Sequence, residues 1–241
     1  MKLSIATAYV CVVFGPFGLF CLVWTFLFVG RAEFLSAVVA LGFSAFTLGL
    51  VAMVAVVASR KVKPRISRHD GGITLRPDVR VDRSLMASTI GVFLGMVVYA
   101  VFAPLDMLTI PTPGDDRKYF MVACAAGAVV GLFTLRHVVR QRGMSLLRLS
   151  TTGIELGSTI STAKRSWDDV DDIADRPRNG RKPTGATFIT GADGRTLTIP
   201  SDWYTPGGQV LRDLMLLYWQ HPDLRPELAD GRAVERLKAN V

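Results

Sequence analysis

Four stretches of this 241-residue chain, 3–29, 34–59, 85–105 and 119–135, are apolar and contain no Asp, Glu, Lys or Arg. A bilayer core takes about 20 residues of helix to cross. The pattern therefore predicts a membrane α-helical bundle of four transmembrane helices, with the remainder of the chain outside lipid. A lone Lys2 ahead of the first stretch resembles the start of a secretory leader. The apolar run is longer than the about 7–15 residues of a leader core, so it reads as a helix.

The positive charges give the orientation. Arg60, Lys61, Lys63, Arg65, Arg68, Arg76, Arg80 and Arg83 crowd the link between the second and third segments, and Arg136, Arg140, Arg142 and Arg148 follow the fourth. The links on the other side carry Arg31 with Glu33, and Asp106, Asp115, Asp116, Arg117 with Lys118. Lys and Arg accumulate on the cytoplasmic side of bacterial membranes, which predicts a multi-pass inner (plasma) membrane protein with both termini cytoplasmic. The chain divides into 1–59 (helices 1 and 2), 60–84 (a basic cytoplasmic link), 85–135 (helices 3 and 4) and a cytoplasmic domain over 136–241.

The net charge of +8 lies mostly at that inner boundary, since 136–241 holds 16 basic against 13 acidic residues. Nucleic-acid binding would require basic residues interleaved with stacking aromatics, a pattern this chain lacks. Cys11, Cys21 and Cys124 all fall in apolar segments and read as packing residues, with neither metal nor disulfide spacing.

Ionisable groups inside a span mark ion and proton pathways, and the four segments contain none. They do carry small residues at every fourth position: Ala87, Gly91 and Gly95 in the third, Ala123, Gly127 and Gly131 in the fourth. Such faces let helix backbones approach closely. They fit either packing within the bundle or a face offered to another membrane protein. Ala45, Gly49 and Met53, with Gly42 and Ala52, make the second segment mixed, and Gly15-Pro16-Phe17-Gly18 invites a kink in the first.

The polar half reads as α+β. Residues 148–158 alternate around Thr151-Thr152-Gly153 as a hairpin, RSWDDVDDI offers Trp167, Val170 and Ile173 as anchors, and 187–190 with 195–200 flank a Gly-rich turn. An amphipathic helix is expected over 209–220, ended by His221-Pro222, with short helical pieces and a charged tail beyond. Together these predict a partly open β-barrel or sheet capped by one helix. The link repeats the leading motif: Gly72-Ile73-x-Leu75 echoes Gly153-Ile154-x-Leu156. The chain thus looks like two copies of a helix pair plus strand unit, the first reduced to a degenerate strand stub expected to lie beside the later domain.

No chemistry is written in these motifs. Asp168, Asp169, Asp171, Asp172 and Asp175 alternate with Val170 and Ile173 as a solvated strand face rather than the converging oxygens a hard cation needs. Ser201-Asp202-Trp203-Tyr204 and His221 are hydrolase residue types without a nucleophile elbow. No nucleotide fingerprint or zinc-ligand pair occurs, so neither a catalytic residue, a cofactor nor a metal is expected.

The strand L-x-x-x-G-I-x-L, the W-D-D-V strand start and G-R-T-L-T-I-P before a C-terminal helix resemble the bacterial pleckstrin-homology-like domain, over about residues 140–220. In layout the whole chain is similar to small four-helix actinobacterial membrane proteins, among them the accessory lipid-uptake coordinator subunits of Mce lipid-import ABC transporters. That resemblance implies a non-catalytic accessory or scaffolding subunit that stabilises or regulates a larger inner-membrane complex, with permease subunits as partners and Ala87, Gly91, Gly95, Ala123, Gly127 and Gly131 as interface residues. The other reading is a stand-alone protein whose domain meets anionic lipid headgroups through Arg140, Arg142, Arg176, Arg178, Arg181 and Lys182.

Overall fold

The computed structural model describes residues 5–69, 71–110, 117–141, 143–158, 162–177 and 184–239. Four helices, α1 (Ile5–Gly30), α2 (Phe34–Ala58), α3 (Val79–Phe102) and α4 (Arg117–Gln141), are long and apolar enough to span a membrane. Residues 1–58 and 83–140 form one compact unit, and residues 59–82 with 141–241 form a second.

In the helical unit α1 runs unbroken through Pro16, whose ring cannot donate to the preceding turn. Two residues on, the Gly18 carbonyl accepts a hydrogen bond from Ser44 Oγ of α2 at 3.0 Å. The small face of α3 lies against α2. A Cβ built on Gly91 would stand 2.7 Å from Ala45 Cβ, and one on Gly42 would stand 3.0 Å from Gly95 Cα. Ser88 Oγ donates to the Phe46 carbonyl at 3.1 Å across the same contact. Gly127 and Gly131 of α4 instead make room for Met96 and Phe93 of α3. The glycine faces of α3 and α4 therefore do not meet each other: one seats the α2 backbone, and the other accepts large side chains.

Near one end of this unit Val39, Tyr99, Ala103 and Cys124 form a buried cluster. The Tyr99 and Phe120 rings meet edge-on at 4.7 Å. Thr109 is tied to Ser36 at 3.0 Å and to Glu33. Phe17, Phe20 and Phe26 of α1 and Val129, Leu132 and Phe133 of α4 are exposed, as lipid-facing residues are in a bilayer, where apolar surface carries no hydration penalty.

Among the described residues the second unit holds eight strands in two antiparallel sheets. The first, in the order β1-β2-β3-β4-β5, contains β1 (Arg65–His69), β2 (Gly72–Arg76), β3 (Leu146–Ser150), β4 (Gly153–Gly157) and β5 (Thr162–Ser166). The second contains β6 (Val170–Ala174), β7 (Thr187–Gly191) and β8 (Thr196–Ile199). The stub expected in the link is a complete hairpin, and the register Ile73↔Leu149 and Leu75↔Leu147 places it inside the sheet.

The repeated Gly-Ile-x-Leu does one job twice. Ile73, Leu75, Ile154 and Leu156 point into the common core. The glycine ahead of each pair lets the neighbouring strand close in: a Cβ on Gly72 would lie 3.0 Å from Ser150 Cα, and one on Gly153 2.9 Å from Ser166 Cα. Fully burying each such aliphatic side chain stabilises by about 1.5–3 kcal/mol.

Three expectations are corrected. The domain is closed by three helices rather than one, α5 (Gln209–Gln220), α6 (Glu227–Asp230) and α7 (Arg232–Ala239), because the charged tail buries Leu228, Ala233, Val234 and Leu237 in the core. The third span begins at Val79 rather than residue 85, since Asp78 caps α3 by accepting the Arg80 N–H at 2.8 Å. RSWDDVDDI is not one strand. It leaves β5 at Ser166, makes a 3-10 turn over Trp167–Asp169 and enters β6.

Gly91→Leu is expected to unseat α3 from α2 within the chain itself. The variant should lose helical cooperativity and melt well below the parent protein in detergent, measured by thermal circular dichroism, whereas Ala87→Leu, at an exposed position of the same helix, should melt like the parent.

Candidate functional site

The polar groups with the most specific geometry gather where the two chain segments of the β unit meet. Asp78 is buried, and each carboxylate oxygen is used: Oδ1 on the Arg80 N–H and Oδ2 on the Lys63 N–H, both at 2.8 Å. Its own N–H donates to the Trp203 carbonyl at 3.2 Å. One turn along α3, Asp82 Oδ2 takes Arg65 Nη2 at 2.6 Å, and Asp82 Oδ1 takes the Met144 N–H at 2.9 Å. Arg65 Nε also donates to the Pro77 carbonyl at 3.0 Å. Two aspartates spaced one helical turn apart thus fasten residues 63–82 to residue 144, just before β3, and to residue 203, ahead of α5.

The same junction explains the residues after β8. The Tyr204 hydroxyl meets Ser145 Oγ at 2.7 Å in a fully buried contact, and burial holds that phenol well above its ordinary range. Ser201 Oγ shares a 2.6 Å hydrogen bond with Thr187 Oγ1. These hydroxyls pack; none faces a base that would activate it. His221 is exposed at the end of α5.

Asp202 differs. Burial raises its carboxyl from an ordinary 3.8 to about 6, against hydrogen bonds from its own N–H and that of Trp203. Elsewhere Glu227, buried beneath α7, accepts Arg236 at 2.6 and 2.9 Å, and that guanidinium holds it below the usual carboxylate range.

The acidic run spreads over the surface. Asp168 pairs with Arg225 at 3.3 Å, Asp175 lies 3.9 Å from both Arg176 and Arg212, and Asp169, Asp171 and Asp172 are exposed. Among the described residues no group of three or more His, Cys, Asp or Glu could hold a metal ion.

Of the residues expected at a lipid surface, Arg140 and Arg176 are exposed, while Arg142, Arg178, Arg181 and Lys182 lie outside the described residues. Of the expected interface residues, Gly91, Gly95, Gly127 and Gly131 meet neighbours within the chain's own bundle, and Ala87 and Ala123 are exposed. The Asp78–Asp82 pair is absent from the sequence reading. Its legible signal is an Asp directly before an apolar helix, the ordinary mark of an N-cap.

Compared with known protein families, curated proteins and solved structures, the chain finds no match in any of the three.

Asp82→Ala removes the acceptor from both Arg65 and the Met144 N–H, and should destabilise the β unit by about 1–3 kcal/mol, read as a lower denaturation midpoint. Asp202→Asn should act the other way. A carboxyl whose folded pKa is raised opposes folding in its charged form. The penalty is full above about pH 6 and fades as pH falls towards 3.8. The variant should therefore be more stable than the parent at pH 7.5, by about 1–3 kcal/mol, and lose that advantage near pH 4, as followed by melting temperature against pH.

Proposed function

We propose that this chain is a non-catalytic accessory subunit of a membrane complex, with its β unit serving as a docking platform held at the ends of α3 and α4. The carrying observation is the construction of that unit from two chain segments. A sheet completed by residues 65–76 and pinned through Asp78 and Asp82 gives the unit an internally fixed surface built from two chain segments, which supports a scaffolding role. The Ser201 and Tyr204 hydroxyls are taken up in buried hydrogen bonds, which supports a binding role over a catalytic one.

The finer readings belong to the same proposal. Two antiparallel sheets followed by α5 agree with a pleckstrin-homology-like layout, with β2 supplied from ahead of α3. The Lys- and Arg-rich segments support a cytoplasmic position for the β unit and both termini in an inner-membrane protein. A lipid-import ABC transporter is the complex whose accessory subunits the layout resembles. Because the glycines of α3 and α4 are occupied internally, the surfaces left for a partner are the outward faces of α1 and α4 and the β unit.

The tagged full-length chain, drawn from its native membrane in mild detergent, is expected to carry permease and ATPase chains at constant ratio by mass spectrometry. Elution of this chain alone across several mild detergents would defeat the proposal.

A further inference from the structure

The link between α2 and α3 has a charge arrangement that sidedness alone does not require. Four of its cations face outward. Arg60, Lys61, Lys63 and Arg80 are all exposed, and none has an acidic partner within ion-pair distance among the described residues. The acids described in the same segment face inward. Asp78 and Asp82 are both buried, and their four carboxylate oxygens go to the N–H groups of Lys63, Arg80 and Met144 and to the Arg65 guanidinium. Among the described residues of the link these four cations therefore stand without the interspersed acids that neutralise most protein surfaces.

The backbone beneath that charge is fixed. Asp78 holds the N–H groups of Lys63 and Arg80 on its two oxygens at 2.8 Å each, so these residues, 17 positions apart, are neighbours across one carboxylate. Between the end of α2 at Ala58 and Lys63 the chain turns through Arg60 in the left-handed region, at φ +53°. A non-glycine residue adopts this conformation only where the surrounding structure enforces it. Val62, between Lys61 and Lys63, is buried at 1% exposure and anchors the intervening stretch. The four cations thus stand on a short segment held by one buried apolar side chain and one buried carboxylate, two to five residues beyond the end of a candidate span or in the first turn of the next.

We infer that Arg60, Lys61, Lys63 and Arg80 form a preorganised contact for the phosphate groups of anionic glycerophospholipids in the leaflet that borders the link. The inference rests on the helices crossing a bilayer and is independent of any protein partner. An ammonium or guanidinium held at the interface attracts anionic headgroups whether or not it is ordered. Ordering adds retention, because a fixed group loses less conformational freedom when it binds.

The test uses the full-length chain in nanodiscs of phosphatidylglycerol and phosphatidylcholine in equal amounts, with native mass spectrometry of the lipids retained after release. The parent protein is expected to retain phosphatidylglycerol preferentially. Each charge removed should lower that preference about fivefold, so Lys63→Gln with Arg80→Gln should lose most of it, while Lys164→Gln on β5 should leave it unchanged. Asp78→Asn keeps all four cations and weakens the acceptor beneath them; a reduced preference in this variant would mark the ordering as part of the contact. Retention of phosphatidylglycerol by the Lys63→Gln, Arg80→Gln variant at the parent level, with its melting temperature intact, would overturn the inference. Displacement of the lipid by millimolar inorganic phosphate would also overturn it, since the surface would then be a soluble-anion site. Failure of co-purification with other membrane chains leaves the lipid result untouched.

Discussion

The antiparallel pairing of β2 with β3 is the contact on which the architecture turns. These strands lie on opposite sides of the α3–α4 segment in sequence, yet Leu75 faces Leu147 and Ile73 faces Leu149 in one ladder. A ladder cannot form across a bilayer, because its backbone groups would be left unpaired in hydrocarbon. The start of α3 and the end of α4 must therefore open on one side, and the segment between must cross an even number of times. The distribution of Lys and Arg leads to the same arrangement from independent physics, a charge bias acting during insertion. Both constraints require the start of α3 and the end of α4 to share a side.

The ladder is also a long-range contact. Its partners are separated by more than seventy positions, Leu75 from Leu147. The entropic cost of closing such a loop rises only slowly with its length, and that cost falls once α3 and α4 are inserted as a helix pair that brings the strand ends to one side. Until then β3 and β4 expose an edge at which β2 belongs, with Leu147, Leu149, Ile154 and Leu156 incompletely covered. Asp78 and Asp82 complete the join. Both sit at the start of α3, where carboxylates are favoured by the helix dipole, and both also bind backbone outside the helix, so a single helix start serves as cap and as clasp.

What was legible in the sequence follows how strongly each element is marked by apolar periodicity. The four spans, the β3–β4 hairpin and α5 are marked by long runs or clear alternation, and their positions agree with the structure to within a few residues, apart from α3, which begins at Val79, and α4, which extends from Arg117 to Gln141. β1 reads RISRH and β5 reads TAKRS. Edge strands with one small or aliphatic residue among charges carry almost no alternation, because charge on an edge protects it from pairing with other chains. The repeated Gly-Ile-x-Leu was visible as a pattern, but the reason for its glycine was not: only the register shows another strand's backbone lying where a Cβ would be. Spacing alone likewise left the glycine faces of α3 and α4 open between an internal and an external neighbour. Gly42 of α2, in a row that read as mixed, turned out to be the residue facing Gly91 and Gly95.

Charge in this chain is sorted by what the backbone demands. An acid within a basic link would ordinarily be expected to pair with the nearest Lys or Arg side chain at the surface, where such a pair contributes at most about 1 kcal/mol. Asp78 and Asp82 instead spend three of their four oxygens on backbone N–H groups, of which the buried Met144 N–H would lose about 1–3 kcal/mol without its acceptor. The acids therefore turn inward: Arg65 follows Asp82 into the junction, and among the described residues Arg60, Lys61, Lys63 and Arg80 remain outside without an acidic partner. The positive surface of the link is thus a by-product of how the sheet is fastened.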